Sequence, residues 1–406
     1  MIDNDKKLAD TFDLRQLPPA YYADPFPWYR ALQRHAPIKR LPDGSVFLTR
    51  YQDLRAVYKD TTAFSSDKRR EFKPKFGDSP LFEHHTTSLV FSDPPLHTRV
   101  RRLINGALVP RVIAAMEPML VQLVQDLLDS MKDHPTVDLI EEFASLIPIE
   151  VIGNLLNVPH AEREPLRDWS LAILGALEPV LSEQQEADGN RAVREFSAYL
   201  ERLVAHHRQY PGDPQHDVLS RLIQGEPDGE KLSTRELLHN CIFLLNAGHE
   251  TTTNLIGNGL FLLHGHPDQR QRLLENPTLI HTAVEEVLRM ESPNQLGNRM
   301  TTVAVDLAGT SLEANTSIHL CIGAANRDPE VFPEPDRFDI ARTPNKHLAF
   351  ASGPHQCVGM TLARLEASVA LSHFLQRYPN YTLADEPVRG GRARFRGFLK
   401  LPCRLG

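Results

Sequence analysis

Phe350-Ala351-Ser352-Gly353-Pro354-His355-Gln356-Cys357-Val358-Gly359-Met360-Thr361-Leu362-Ala363-Arg364 sets one cysteine between two glycines, directly ahead of a helical pattern that runs from Val358 to about Tyr378. Gly353 and Gly359 let the backbone turn tightly and come close to a flat ligand. Amides exposed at the start of the helix favour a thiolate, which predicts a lowered pKa for Cys357. A cysteine placed in this way is suited to be an anionic metal ligand. The other cysteines, Cys241, Cys321 and Cys403, read as small buried hydrophobes. Their spacing matches neither a disulfide framework nor a zinc or iron–sulfur site.

The segment resembles the haem-ligand loop of the cytochrome P-450 superfamily, in which Phe350, Gly353, the basic residue His355, Cys357 and Gly359 follow one another at fixed spacing. The resemblance implies haem b with the Cys357 thiolate as its axial iron ligand. Further matches extend from about residue 93 to 364, in the family's order. Glu286-Val287-Leu288-Arg289 puts a carboxylate and a guanidinium on one helix face. In the family such a pair is internal and is completed by a later arginine, and Arg337 in Pro335-Asp336-Arg337-Phe338 fits that structural role.

Ala247-Gly248-His249-Glu250-Thr251-Thr252 lies within a long apolar helix, where an acid and a run of threonines need a reason. The resemblance supplies one. Ala247 and Gly248 let the helix pass close over the haem, Thr251 bonds back to the Ala247 carbonyl, and Thr251 with Glu250 relays protons toward dioxygen. Asp93-Pro94-Pro95-Leu96-His97-Thr98-Arg99-Val100-Arg101-Arg102 resembles the segment whose His97 and Arg101 meet the haem propionates. Arg299 and His355 match the remaining propionate partners, and arginine suits the task because its planar fork pairs with carboxylates. Arg99 and Arg102 should face outward. Ala325-Asn326-Arg327-Asp328-Pro329 and Phe332-Pro333 add to the match, whereas the amino-terminal quarter agrees only in general character.

Around these motifs the chain reads as mainly α with small β-sheets, an α+β cytochrome P-450 fold with haem between the oxygen-binding helix and the ligand loop. A length of 406 residues suggests two or three domains. No repeat or linker divides the chain, however, so one domain over 1–406 is expected, helix-rich over 97–290 and β-rich over 291–406. Asp43-Gly44 marks a hairpin between pieces around Ile38 and Val46–Leu48, after a helix over Pro27–His35. Residues 61–95 read as a long irregular aromatic segment of the kind used as binding loops. Helices are expected over Val112–Met131, Leu166–Leu181, Asn190–His207, Asp217–Ile223, Arg235–Leu263 and Thr278–Met290, with Ser233 and Glu236 at capping-box spacing. Strands are expected over Thr301–Leu307, Ser317–Ile322 and, as a pair, Arg392–Leu401.

The net charge of −7 argues against nucleic acid. It is unevenly spread, with ten Lys/Arg and three Asp/Glu from Ala341 onward, a surplus of +7 against −14 before it. No apolar run approaches the ~18 residues of a membrane span, and the first residues are polar, so a cytoplasmic monomer is expected. Gly257-Asn258-Gly259 has Leu262 where a dinucleotide fingerprint needs a third glycine, and no P-loop exists.

The resemblance therefore implies a monooxygenase that draws on NAD(P)H only indirectly, through a ferredoxin and its reductase. A basic face of Arg99, Arg101, Arg102, Arg111 and Arg364 would receive the acidic ferredoxin. The substrate pocket should draw on Phe82, Leu89 and Val90, on Phe243, Asn246 and Ala247 of the oxygen helix, and on Gln295, Leu296 and Phe395. His84 or His85 could orient a polar group. A medium-sized lipophilic molecule of terpenoid, steroid-like or aromatic acid type fits this set. The rival readings are a peroxide-driven or non-oxygenating haem-thiolate enzyme, or a haem-based sensor.

Overall fold

Ser233 starts the longest helix, Thr234–Gly265, by accepting from the Glu236 amide while the Glu236 side chain returns to the Ser233 amide. Each bond satisfies a backbone donor that a helix start otherwise leaves open. In a computed structural model that describes residues 4–212, 218–225 and 229–406, this helix is buried along nearly its whole length. Other helices pack around it, among them Leu146–Leu155, Leu166–Gly175, Glu183–Gln209, Ile280–Met290 and Met360–Arg377. Gly248 allows a close approach of Leu146–Leu155, since a Cβ there would overlap the Ile152 side chain. No single helix among the described residues is long and apolar enough to cross a membrane.

The largest sheet flanks this helical body. Ile38–Arg40 and Val46–Leu48 form the expected hairpin, with Ile38 opposite Leu48 and Gly44 at φ +82° in the turn. Val46–Leu48 then pairs parallel to Ser317–Cys321, which pairs antiparallel to Leu296–Thr301, and Phe64–Ser65 closes the far edge. Leu296–Thr301 carries Arg299 and Asn298 toward the centre of the molecule on this sheet.

Several elements differ from expectation. Residues 61–95 are not irregular: they hold the helices Arg69–Phe76 and Pro80–Thr87 and a turn at Leu89–Phe91. Each helix has only eight residues and the first contains Pro74, so neither shows enough turns for a periodic pattern to stand out. The helix expected to reach Leu181 stops at Gly175, and the next begins at Glu183 under a Ser182–Gln185 capping box. The expected strand over Thr301–Leu307 is two, Leu296–Thr301 and Val305–Leu307. The helix expected from Asp217 is observed over Val218–Gln224, and Asp217 lies outside the described residues. Arg392–Leu401 is not one strand pair: Val388–Arg389 pairs with Phe398–Lys400, and of the residues between, Ala393, Phe395, Arg396 and Gly397 are buried.

Candidate active site

The ligand loop is fixed by its own backbone. The Cys357 amide donates to the Phe350 carbonyl at 2.9 Å, closing the loop. Gly353 sits at φ +72°, and a Cβ there would overlap the Tyr58 carbonyl oxygen, so only glycine fits. It therefore packs against Tyr58, itself on the cavity wall. Gly359 does border the cavity, and a Cβ there would meet nothing within 4 Å.

That cavity, about 340 Å³, separates the loop from the central helix. Phe350, Cys357 and Gly359 line one side, and Ala247, Gly248 and Thr251 another. The Thr251 hydroxyl donates to the Ala247 carbonyl at 2.6 Å, the back-bond anticipated from the sequence. Burial of the Cys357 thiol works against the expected lowering of its pKa. Burial raises its pKa, and the Gly359 amide, Arg101 and Arg364 oppose that shift without reversing it. Desolvation of a lone sulfur outweighs the helix-start amides.

Arg101, Arg299 and His355 also border the cavity. Arg101 donates to the Gln356 carbonyl at 2.6 Å, and Arg299 donates to the Asn298 carbonyl at 2.7 Å. The His97 and His355 rings lie 3.8 Å apart. Desolvation and neighbouring arginines hold both imidazoles low, His97 at about 4. His97 Nε2 and Arg299 Nε are buried without a hydrogen-bond partner. Such clustered cationic and unpaired donors call for anions. Two carboxylates at the edge of a flat group, a sulfur ligand on one face and room over Gly359 together fit a haem.

Glu286 and Arg289 form the expected internal pair, fully buried and joined by two bonds of 2.8 Å. The Arg337 side chain does not complete the pair: it is 56% exposed and meets Glu334, and only the Arg337 carbonyl takes part, accepting from Arg289 at 3.1 Å. Buried Phe338 and Ile340 take the inward positions of that loop, which turns Arg337 out. Arg342 reaches Glu286 instead, at 3.1 Å, with Asn345 and the Asp339 amide completing the shell.

Glu250 lies on a different face of the helix from Thr251. It faces a second cavity of about 50 Å³ behind the helix, where Arg392 donates to it at 2.6 Å. Successive helix residues point about 100° apart, so Glu250 and Thr251 cannot share one face. Of the expected pocket residues, Leu89, Val90, Phe243, Asn246, Ala247, Leu296 and Phe395 line the main cavity, and Phe82 and Gln295 do not. Phe82 packs under Lys73, and Gln295 is held by Tyr29 and the Ser292 carbonyl.

The expected basic face is largely paired off. Arg99 meets Glu236, Arg102 meets Glu230, and Arg364 binds Glu285 at 2.7 Å while stacking on Phe350. The C-terminal surplus is likewise turned inward: Arg392 meets Glu250, Arg396 meets Glu291, and Arg394 lines the main cavity. Arg342, Arg392 and Glu366 are the site residues that sequence reasoning missed. Glu366 is a buried carboxyl on the cavity wall whose Oε2 has no partner. Only the lone acid within the apolar run Leu365–Leu371 could have signalled it.

The family model described as Cytochrome P450 matches residues 33–160 and 167–389. The chain is 36% identical over 381 residues to the biotin biosynthesis cytochrome P450 of Bacillus subtilis (strain 168), covering 92% of this chain and 95% of that one. It is 37% identical over 394 residues to the vitamin D(3) 25-hydroxylase of Pseudonocardia autotrophica, covering 95% of each. Among solved structures, P450BioI in complex with acyl carrier protein ligated by hexadec-9Z-enoic acid superposes with TM-score 0.90 at 35% identity, over 95% of this chain and all of that one. CYP109E1 from Bacillus megaterium in complex with testosterone superposes with TM-score 0.88 at 31% identity, over 96% of this chain and all of that one.

Proposed function

Because the chain belongs to the cytochrome P450 family, we propose that it inserts one oxygen atom of O2 into a C–H bond of a medium-sized lipophilic molecule. Membership makes it a haem-dependent oxidoreductase of the monooxygenase class. One observation carries the proposal: Cys357 and the bonded pair Ala247–Thr251 line the same apolar cavity. Haem, when bound, supplies the one-electron and dioxygen chemistry that no side chain can provide.

The chain's residues supply the rest. The Cys357 thiolate would hold the iron, Arg101 and Arg299 would pair with the two propionates, and the neutral His97 and His355 would hydrogen-bond them. Thr251 gives up its bond to Ala247 to hold a proton donor at the cavity, and Glu250, steadied by Arg392, passes protons from the side away from substrate. Apolar walls exclude bulk water and hold the substrate beside Ala247 and Thr251. Relatives named for vitamin D(3) hydroxylation, or solved with testosterone or a long-chain acyl group, support a steroid-like or fatty substrate. Electrons come from a ferredoxin and its NAD(P)H reductase, in a cytoplasmic monomer.

Thr251→Ala separates this reading from a peroxide-driven or isomerising enzyme. In the monooxygenase it leaves oxygen consumption running while product per oxygen falls severalfold. Unchanged coupling favours the rival. In the carbon monoxide spectrum of the reduced protein, the thiolate-type Soret shift should be lost in Cys357→Ala, and its survival there overturns the ligand assignment.

A further inference from the structure

Two acids stand side by side on the helix Ile280–Met290. Glu286 serves the buried pair with Arg289, and Glu285, about 100° further round the helix, faces the ligand loop. Glu285 uses both of its oxygens there. Oε1 accepts from Arg364 Nε at 2.7 Å and Oε2 from Arg364 Nη2 at 2.9 Å, a bidentate fork. Oε2 also accepts from His347 Nε2 at 3.2 Å. The Ala349 amide donates to His347 Nδ1 at 3.2 Å, so the imidazole proton belongs on Nε2, facing Glu285. Burial works to raise the Glu285 pKa, but His347 and Arg364 hold it at about 2, so this group is a carboxylate at neutral pH.

The residues gripped by this carboxylate enclose the iron ligand in sequence, His347 before Cys357 and Arg364 after it. Both meet the same aromatic ring. The Arg364 guanidinium lies 4.7 Å from the centre of Phe350, and the His347 ring lies 5.9 Å from it. Phe350 in turn accepts the Cys357 amide through its carbonyl and borders the main cavity. Arg364 is 37% exposed, and a long side chain at such a site has many rotamers open to it unless a partner selects one. Glu285 selects the one that lies over Phe350. Of the two charges in the fork, it is that of Arg364 that acts at the Cys357 sulfur, together with Arg101.

Resting on Cys357 as the haem ligand, we propose that Glu285 is a positioning residue for the thiolate: it holds the Arg364 charge over Phe350, fixes that ring with His347, and so raises the reduction potential of the bound haem. The sign separates this role from that of a plain charge. One-electron reduction adds negative charge to the haem and its sulfur, so a cation fixed nearby favours the reduced form and an anion disfavours it. If Glu285 acted by its own charge alone, its removal would raise the potential. Acting through Arg364, its removal frees that cation to turn toward solvent, and the potential falls.

Spectroelectrochemical titration of the haem-loaded protein tests the proposal. Arg364→Leu should lower the midpoint potential, so that at the wild-type midpoint the reduced fraction falls severalfold. Glu285→Ala should shift it in the same direction, and Glu285→Gln, which keeps an acceptor for Arg364, should shift it less. In an Arg364→Leu background, Glu285→Ala should give no further fall, because the cation it positions is gone. The thiolate-type carbon monoxide spectrum verifies the ligand in each variant, and if Glu285→Ala loses it, Glu285→Gln carries the comparison. A potential that rises or stays unchanged on removal of Glu285, or a fall of equal size with and without Arg364, overturns the proposal alone. Absence of the thiolate-type spectrum from the wild type overturns the ligand assignment and this proposal with it.

Discussion

At the scale of single residues, the interior distinguishes groups that have partners from groups that have none. Glu286 and Arg289 pair in the core, so Glu286→Ala leaves a buried guanidinium without its carboxylate and should cost about 3–5 kcal/mol, whereas Arg289→Ala should cost less because Arg342 still meets Glu286. Urea unfolding measures it. Arg337→Ala should fall within about 0.5 kcal/mol, because that side chain is exposed, and Arg342→Ala should cost clearly more. Glu366 is the opposite case. Burial pushes its carboxyl up to about 8 from 4.5. The folded state therefore keeps a proton that the unfolded chain releases, so stability from this group is complete below about 4.5 and is lost as pH rises through about 8. Thermal unfolding of wild type and Glu366→Gln across that range tests the sign. The wild type should lose stability more steeply with rising pH, and parallel curves would show that Glu366 is ionised in the fold.

At the scale of elements, legibility followed the number of turns and the presence of punctuation. The helix after Ser233 was readable because a capping box precedes many turns of apolar pattern, and Ser233→Ala should cost about 1 kcal/mol of stability in the same unfolding assay. The equivalent box at Ser182 and Gln185 stood in the sequence but was masked by polar residues that follow it. Short elements were opaque: Arg69–Phe76 and Pro80–Thr87 have about two turns each, too few for a period to declare itself. Motif residues held close to the backbone, such as Cys357, Thr251 and the Glu286–Arg289 pair, were legible because local spacing defines them. Partners that meet across the fold were not. Arg392 lies 142 residues from Glu250, and Arg342 lies 56 from Glu286, distances over which sequence pattern carries no geometric information.

At the scale of the whole molecule, charge is the property that folding redistributes most. The carboxy-terminal surplus of arginines suggested a basic docking face, yet much of it is consumed by interior carboxylates. Electrostatic attraction of an acidic ferredoxin to this face should therefore be modest, since Arg99, Arg102 and Arg364 each already meet a carboxylate. The rate of reduction by ferredoxin should fall as salt is raised from low to physiological strength, and a rate indifferent to salt in stopped-flow would remove charge from the docking account.

The inward arginines also bear on how the protein is made. Glu178, Glu250 and Glu291 are buried, and the groups that meet them, the Ala393 amide, Arg392 and Arg396, lie 215, 142 and 105 residues later. A nascent chain that has emerged only as far as the central helices would have to bury those acids uncompensated. Final consolidation of the core therefore waits until almost the last residues have left the ribosome, and a chain stopped before Arg389 should remain a client of chaperones however complete its helices.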